Sequence, residues 1–473
     1  MPADIKAIRD LYAHDEADWA PIRAEGTTDM RFAAGDPWEP KDRAARVAKN
    51  RLCLNADELS QYTNQVVNEV RANKRAIKFT PVGNGASDQT AAFYADKMRE
   101  IEYRSRAQIA YTTAFENAVQ RGFGFVRVNT RYASSRSVHP DLWIDPVPNP
   151  NLVTPDAQWL MPDLSDMRHC WIREAWTWED FNDTFQEARI TRYTSDLAKD
   201  APDWATERGP FVGELWRIRS KKRTLLIVQV DGQPEPIGIF EDELGGESLP
   251  EGVRVLKTRS VDDPQVVQQL TNGLEILEET DWPGKYLPIV GCMGKVLYTS
   301  EEGSDRRQVL SMIRLARHPQ MMYAYLLTNE AEVVGAVPRF PYFVYEGQLS
   351  QSELNSLVAS VHEPVAVIQV RPTIEGLPMG HGPLGFPQRN PYEPPLQAIE
   401  VAKEAARRAI QAAMGQSPLP TSAQRQNQKS GVALKRIEES GQRGSYHFTD
   451  HYLDMLTQVG IICEDLIDKV GYD

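Results

Sequence analysis

Two helical stretches of nearly equal length constrain what this chain can fold into more than any other feature. HPQMMYAYLLTNEAEVVG (318–335) has Pro319 in its first turn and Gly335 at its end, which predicts about 27 Å of helix. LQAIEVAKEAARRAIQAAM (396–414) is composed almost wholly of strong helix formers and stops at Gly415. A Pro- and Gly-rich mixed segment separates them. Equal helices around a compact insert predict an antiparallel pair carrying the insert at one end. Within the second helix Ala398, Ala402, Ala405, Ala409 and Ala412 recur at alternating spacings of four and three. Such a stripe lets another helix approach closely, either its own partner or a copy in a neighbouring subunit.

The rest of the chain has a different grain. Residues 4–20 and 40–73 have helical periodicity, the first ending near Pro21 and the second using Asn55 as an N-cap. Asp88 to Gln120 is the longest helical candidate, opened by Ser87/Asp88 and closed by Gly122. From there the pattern turns to strands at 123–132, 141–147, 168–176, 211–220, 224–232 and 252–260, with LEILEETDW and YLPIVGCMGKVLY behind them. A short helix at 177–185 starts on Thr177. QSPLPTSAQRQNQKSG (416–431) predicts a long exposed loop, and helices follow at VALKRIEES and from Tyr446 to Val470. This order is α+β, without the βαβ alternation of a Rossmann enzyme.

Composition removes further classes. The 473 residues suffice for two to four domains at about 100–200 residues each. Cys53, Cys170, Cys292 and Cys463 form no CxxC pair, so neither a thiolate zinc site nor a disulfide framework is expected. No apolar run approaches the roughly 18 residues of a membrane span. A P-loop and HExxH are absent, and Gly380 to Gly385 matches GxGxxG without a helix to receive a pyrophosphate. Neither a cofactor nor a metal is expected. His447 and His451 have i, i+4 spacing but lack a third ligand, which predicts a surface or interface pair. The carboxylates Asp141, Asp145, Asp156, Asp163 and Asp166, with His169 behind them, are the one enzymatic alternative: a divalent-metal nuclease needs such groups to converge. In Pro- and Asn-rich turns the same residues serve as caps.

Several passages, in order, resemble the portal proteins of short-tailed phages. They are RFAAGDPWEP running on to FTPVG (31–83), AFENAVQRGFGFVRVNTRY (114–132), NLVTPDAQWLMPDLSDMRHCWI (151–172), LSMIRLARHPQ (310–320) and QNQKSGVALKRIE (426–438). Met321, Met322 and Tyr323 stand where relatives usually carry Arg and Asn, and many relatives continue beyond the position of Asp473 into a helical barrel. The resemblance implies a portal fold: a mixed α/β wing over 1–300, β-rich from 122, and a stem from 301–335 and 396–415. A small α/β clip over 336–395, a tunnel loop over 416–430 and post-loop helices at the base of a crown over 431–473 complete it. It also implies a non-enzymatic ring, typically of twelve subunits, at one capsid vertex of the virion, assembled in the host cytoplasm.

The ring would pass double-stranded DNA without sequence specificity during packaging and ejection. Implied partners are the terminase, the major capsid or scaffold protein and head-to-tail adaptors, with no membrane. Arg425 and Lys429 on the loop and Arg407 and Arg408 on the stem are the candidates to face DNA. The alanine stripe becomes a candidate subunit contact, and Phe340, Tyr342, Phe343 and Tyr345 become candidate clip contacts with neighbouring subunits, terminase or adaptors. Another ring-forming virion assembly protein is the remaining structural alternative. A net charge of −13 opposes a tightly clamping DNA binder. It is compatible with a conduit, because the field inside a ring depends on the residues that line it.

Overall fold

The computed structural model describes residues 3–82, 87–132, 134–188, 201–230, 236–244, 253–301, 304–336, 342–343, 349–359, 388–389, 395–415 and 446–470. The chain divides into two compact units. The first comprises 1–30, 62–314 and 431–473, the second 31–61 and 315–430.

The first unit begins with α1 (Ala3–Ala33), which runs straight through Pro21 instead of ending there. Proline inside a helix costs roughly 3 kcal/mol. The buried face outweighs it: Ile5, Ile8, Tyr12, Asp15, Trp19, Ile22, Gly26 and Asp29 follow at spacings of three and four, all shielded from solvent. Trp19 lies in a T-shaped contact with Phe123, 5.0 Å between ring centres. The expected long helix from Asp88 is two helices. α4 (Asp88–Ser105) starts on the Ser87 hydroxyl, which accepts from the Thr90 amide, and α5 (Ala107–Arg121) follows a break at Arg106, whose φ is 53°. The break lets α5 bury Ala110, Tyr111, Ala114, Phe115 and Ala118 while most of α4 stays at the surface.

α5 delivers the chain through Gly122 (φ 99°) into β1 (Phe123–Arg131), which pairs antiparallel with β2 (Asp141–Pro146) and β9 (Ile289–Met293). Gly124 allows the close approach of α5 to β1, since a Cβ there would sit 2.0 Å from the Ala114 carbonyl oxygen. A six-stranded antiparallel sheet contains β3 (Val153–Pro155), β4 (His169–Ala175), β5 (Phe211–Val230), β7 (Val253–Thr271) and β8 (Ile276–Trp282), with β6 (Ile237–Phe240) alongside β5. The two strands expected at 211–220 and 224–232 are one, because Ser220 to Thr224 continue the ladder opposite Pro264 to Ser260. The expected short helix is α6 (Trp178–Thr184), with Thr177 accepting from Asp180. A β10–β11 hairpin (Lys295–Glu301, Ser304–Leu310) follows; its second strand carries no clear strand signal in the sequence. The last helix, α10 (Tyr446–Ile467), buries Phe448, Tyr452, Met455, Val459 and Cys463 against β9, α4 and α5.

The second unit holds α2 (Pro40–Val47), α7 (Arg317–Ala336), α8 (Gln351–Ala359), a short β12–β13 pair (Tyr342–Phe343, Gln388–Arg389) and α9 (Leu396–Met414). Helix does not cover 40–73 continuously. An extended strap over 50–59 separates α2 from α3 (Ser60–Ala72). Asn55 caps nothing; Asp57 Oδ1 accepts from the amides of Leu59 and Ser60 instead. No helix among the described residues is long and apolar enough to cross a membrane.

Candidate functional site

α7 and α9 pack against each other, and the inner face of α9 is not the alanine stripe. α9 turns Ile399, Lys403, Ala406, Ile410 and Met414 inward. Lys403 Nζ donates to Glu330 of α7 and Glu400 of its own helix, both at 2.6 Å. Those two bonds raise the lysine pKa against the opposing cost of burial. Four residues on, Arg407 Nη2 donates to the Tyr323 hydroxyl (2.7 Å) and Nε to Glu58 (3.0 Å), with the guanidinium 5.1 Å from the Tyr323 ring centre. One turn of α9 is thus paired with α7 and with the strap.

The strap is fixed along its length. Gln320, in Pro-Gln of α7, donates to the Asn55 side chain (3.0 Å) and to the Ala56 carbonyl (2.8 Å). The Thr328 hydroxyl accepts from the Leu54 amide. Glu332 holds Arg46 at 2.6 Å and Arg51 at 2.5 Å. Trp38 donates to Leu54 and lies under the Arg46 guanidinium. Gln320, Tyr323 and Glu58 are structural centres that the residue pattern alone did not single out.

The opposite face of α9 is open. Ala398, Ala405, Ala409 and Ala412 are exposed and Ala402 half-buried; Val401 on the same helix is 71 % exposed. α7 likewise exposes Met322 and Tyr325. Of the two α9 arginines, Arg407 is engaged within the chain. Arg408 keeps three quarters of its side chain in solvent beside Glu404 at 3.5 Å. Tyr342 and Phe343 form β12, in register with Arg389 and Gln388. Phe340, Tyr345, Arg425, Lys429 and the GxGxxG match lie outside the described residues.

The carboxylates between 141 and 166 do not converge. Asp141 pairs with Arg104 and Asp145 with Arg131, each at 2.6 Å. Asp163 braces Ser165, and Asp166 accepts from the Leu160 and Met161 amides. Asp156 alone reaches His169, where it meets an unexpected partner, Asp15 of α1. The ligand atoms of these three lie within 4.8 Å of one another, the one such group among the described residues. Every carboxylate oxygen there already accepts an N–H. Asp15 takes Ala157 N, His169 Nε2 and Trp171 Nε1; Asp156 takes Gln158 N and Arg168 N, with His169 Nδ1 at 3.4 Å. Donors of the chain itself thus engage all four oxygens, and the group ties α1 to β4.

His447 and His451 are not a free surface pair. His451 Nδ1 donates to the carbonyls of Met293 and Gly294, and burial lowers the His447 pKa to about 4, helped by His451 and Lys295.

A family model, described as the phage P22-like portal protein, matches residues 9–472 of the chain. No curated protein matches it.

Proposed function

The chain belongs to the phage P22-like portal protein family, and on that premise we propose that it is one subunit of a ring-shaped DNA conduit at a capsid vertex. The match over almost the whole chain carries this reading. In it, α7 and α9 are the stem pair, and the open alanine face of α9 is where a neighbouring subunit's helix packs. Small side chains allow close backbone approach and cost little side-chain entropy when covered. With Lys403 and Arg407 neutralised by Glu330, Glu400 and Glu58, Arg408 is the α9 cation left mostly in solvent. Arg408, with Arg425 and Lys429 of the 416–430 loop, would supply sparse contacts repeated around the ring. Sparse contacts let DNA slide, whereas each further phosphate neutralised would strengthen a salt-dependent grip.

Portal proteins are structural rather than enzymatic, so the energy for packaging would come from a separate terminase. The clip residues Phe340, Tyr342, Phe343 and Tyr345 would face neighbouring subunits, terminase or adaptors, and the wing would meet the capsid or scaffold protein. Negative-stain images and native mass of the purified chain test the reading. A closed ring with a hole wide enough for B-form DNA is expected. A monomer or dimer under all conditions tried would overturn it.

A further inference from the structure

The Asp15–His169–Asp156 group sits in a place that invites titration. Asp15 and Asp156 side chains are 1 % and 6 % exposed, and His169 is 14 % exposed. Two buried carboxylates face the two nitrogens of one imidazole, at 2.8 Å and 3.4 Å. A neutral imidazole carries a single N–H, so one nitrogen would turn a lone pair towards a carboxylate oxygen. The doubly protonated ring donates to Asp15 and sets its positive charge 3.4 Å from Asp156, and it leaves one net negative charge for the surrounding amides and the Trp171 indole to stabilise.

We propose that this group is a proton-operated clasp: it holds α1 against the β3–β4 edge of the six-stranded sheet while His169 carries both ring protons, and loosens the helix when one is lost. On release the Nδ1–H or Nε2–H bond breaks, the proton passes to water, and the three side chains go from a net charge of minus one to minus two. Burial disfavours the charged ring, but the hydrogen bond and the Coulomb attraction of Asp15, then of Asp156, outweigh it and raise the His169 pKa. A group whose pKa is raised on folding adds stability that is fully present below the ordinary histidine value and lost as pH rises through the folded one. The clasp therefore opens on the alkaline side of about pH 6.5.

The other charged groups around it do not reproduce that behaviour. On α1, His14 lies 3.6 Å from Asp15 but is two-thirds exposed, Glu16 is tied to Arg23 at 2.5 Å, and Asp18 faces Arg307 of β11. Burial raises the Asp18 pKa, with Arg307 opposing. On β4, burial raises the Cys170 thiol far above this range, and Arg173 stacks on Tyr12 and Phe211. On β5, Arg217 stands opposite His169 in the ladder. His14, a second histidine on α1 that is two-thirds exposed, is the control.

Hydrogen exchange of the full chain between pH 6 and 9, corrected for intrinsic rates, reads the clasp directly. Protection of the Ile5–Ile22 amides should fall by up to tenfold per pH unit once His169 deprotonates, the limit for one proton, while α10 holds its protection. His169→Gln should show low, pH-independent protection in α1, and His14→Gln should behave as the native chain. Parallel pH profiles in native protein and His169→Gln would overturn the proposal. Should His169→Gln fail to fold, Asp156→Asn decides: removing one carboxylate must move the transition to lower pH, and an unmoved transition overturns the clasp as well.

Discussion

At the scale of single residues, the informative positions are polar groups standing where an apolar one is expected. The inward row of α1 alternates spacings of three and four from Ile5 to Asp29, and two of its eight members are aspartates. Both are locks. Asp15 takes His169, and Asp29, wholly buried, takes the Ser311 hydroxyl at 2.8 Å and the Arg314 guanidinium at 2.8–3.1 Å. The signal was present in the sequence: an Asp in register with Ile8, Tyr12, Trp19 and Ile22 must be buried, and a buried carboxylate needs a cation or several donors. Which cation it finds, across more than 150 residues, is set by tertiary packing and was not legible. Asp29→Ala leaves Arg314 in a largely dry site with Glu25 at 3.4 Å as its remaining ion-pair partner among the described residues. It should cost roughly 3–5 kcal/mol, as breaking a buried pair does. Urea unfolding of the two proteins checks this, and a difference below about 1 kcal/mol would mean that the pair contributes no more than an exposed one.

Among elements, what could be read from residue pattern is what depends on local chemistry. α9 has the bounds its helix formers and Gly415 dictate, and the Ser87 and Thr177 caps act as their residue types predict. The misreadings share a cause: a local signal overridden by burial or by a cross-strand partner. Pro21 stays helical because the face on either side of it is buried. The polar run Ser220 to Thr224 looks like a turn, yet it is strand because Arg223 reaches Asp263 at 2.9 Å across the ribbon. The break at Arg106 was illegible, since arginine is no natural left-handed residue. That strain gives a test. Arg106→Gly relieves a left-handed cost of about 1–2 kcal/mol and adds a glycine entropy cost of about 0.5–1 kcal/mol, for a net gain near 0.5–1 kcal/mol. Thermal melting should show a small rise in midpoint, and a fall would mean that the Arg106 side chain contributes more than its backbone strain costs. The alanine face of α9 gives another. Ala405→Trp with Ala409→Trp places bulk on an exposed face and should leave the subunit's melting temperature within about a degree, since exposed sites shift stability by about 0.5 kcal/mol or less. Native mass should show ring assembly lost. Intact rings would place the subunit contact elsewhere.

For the whole molecule, the balance of charge is the property that separates a conduit from a clamp. In the proposed conduit, a chain of net charge −13 that also pairs Lys403 and Arg407 of α9 internally would offer DNA few fixed contacts. In that reading, what it offers would come from Arg408, Arg425 and Lys429. The α+β character and the α7–α9 helices were legible because they follow from periodicity. The ring was not legible from the residues of one copy, and it entered through family resemblance alone. Arg425→Ala with Lys429→Ala tests whether the loop carries what the stem withholds. Neither substitution changes a residue of α9, so rings should assemble at native yield. Removing two cations per subunit should weaken DNA retention, and the salt dependence of release should flatten, because fewer phosphates are neutralised and fewer counterions released in total. Packaging assays reading full-length genomes retained in filled particles give the answer: a fall in retention at unchanged ring yield supports a loop that holds DNA. Unchanged retention would leave Arg408 and the rest of the channel wall as the contacts, and the loop without that role.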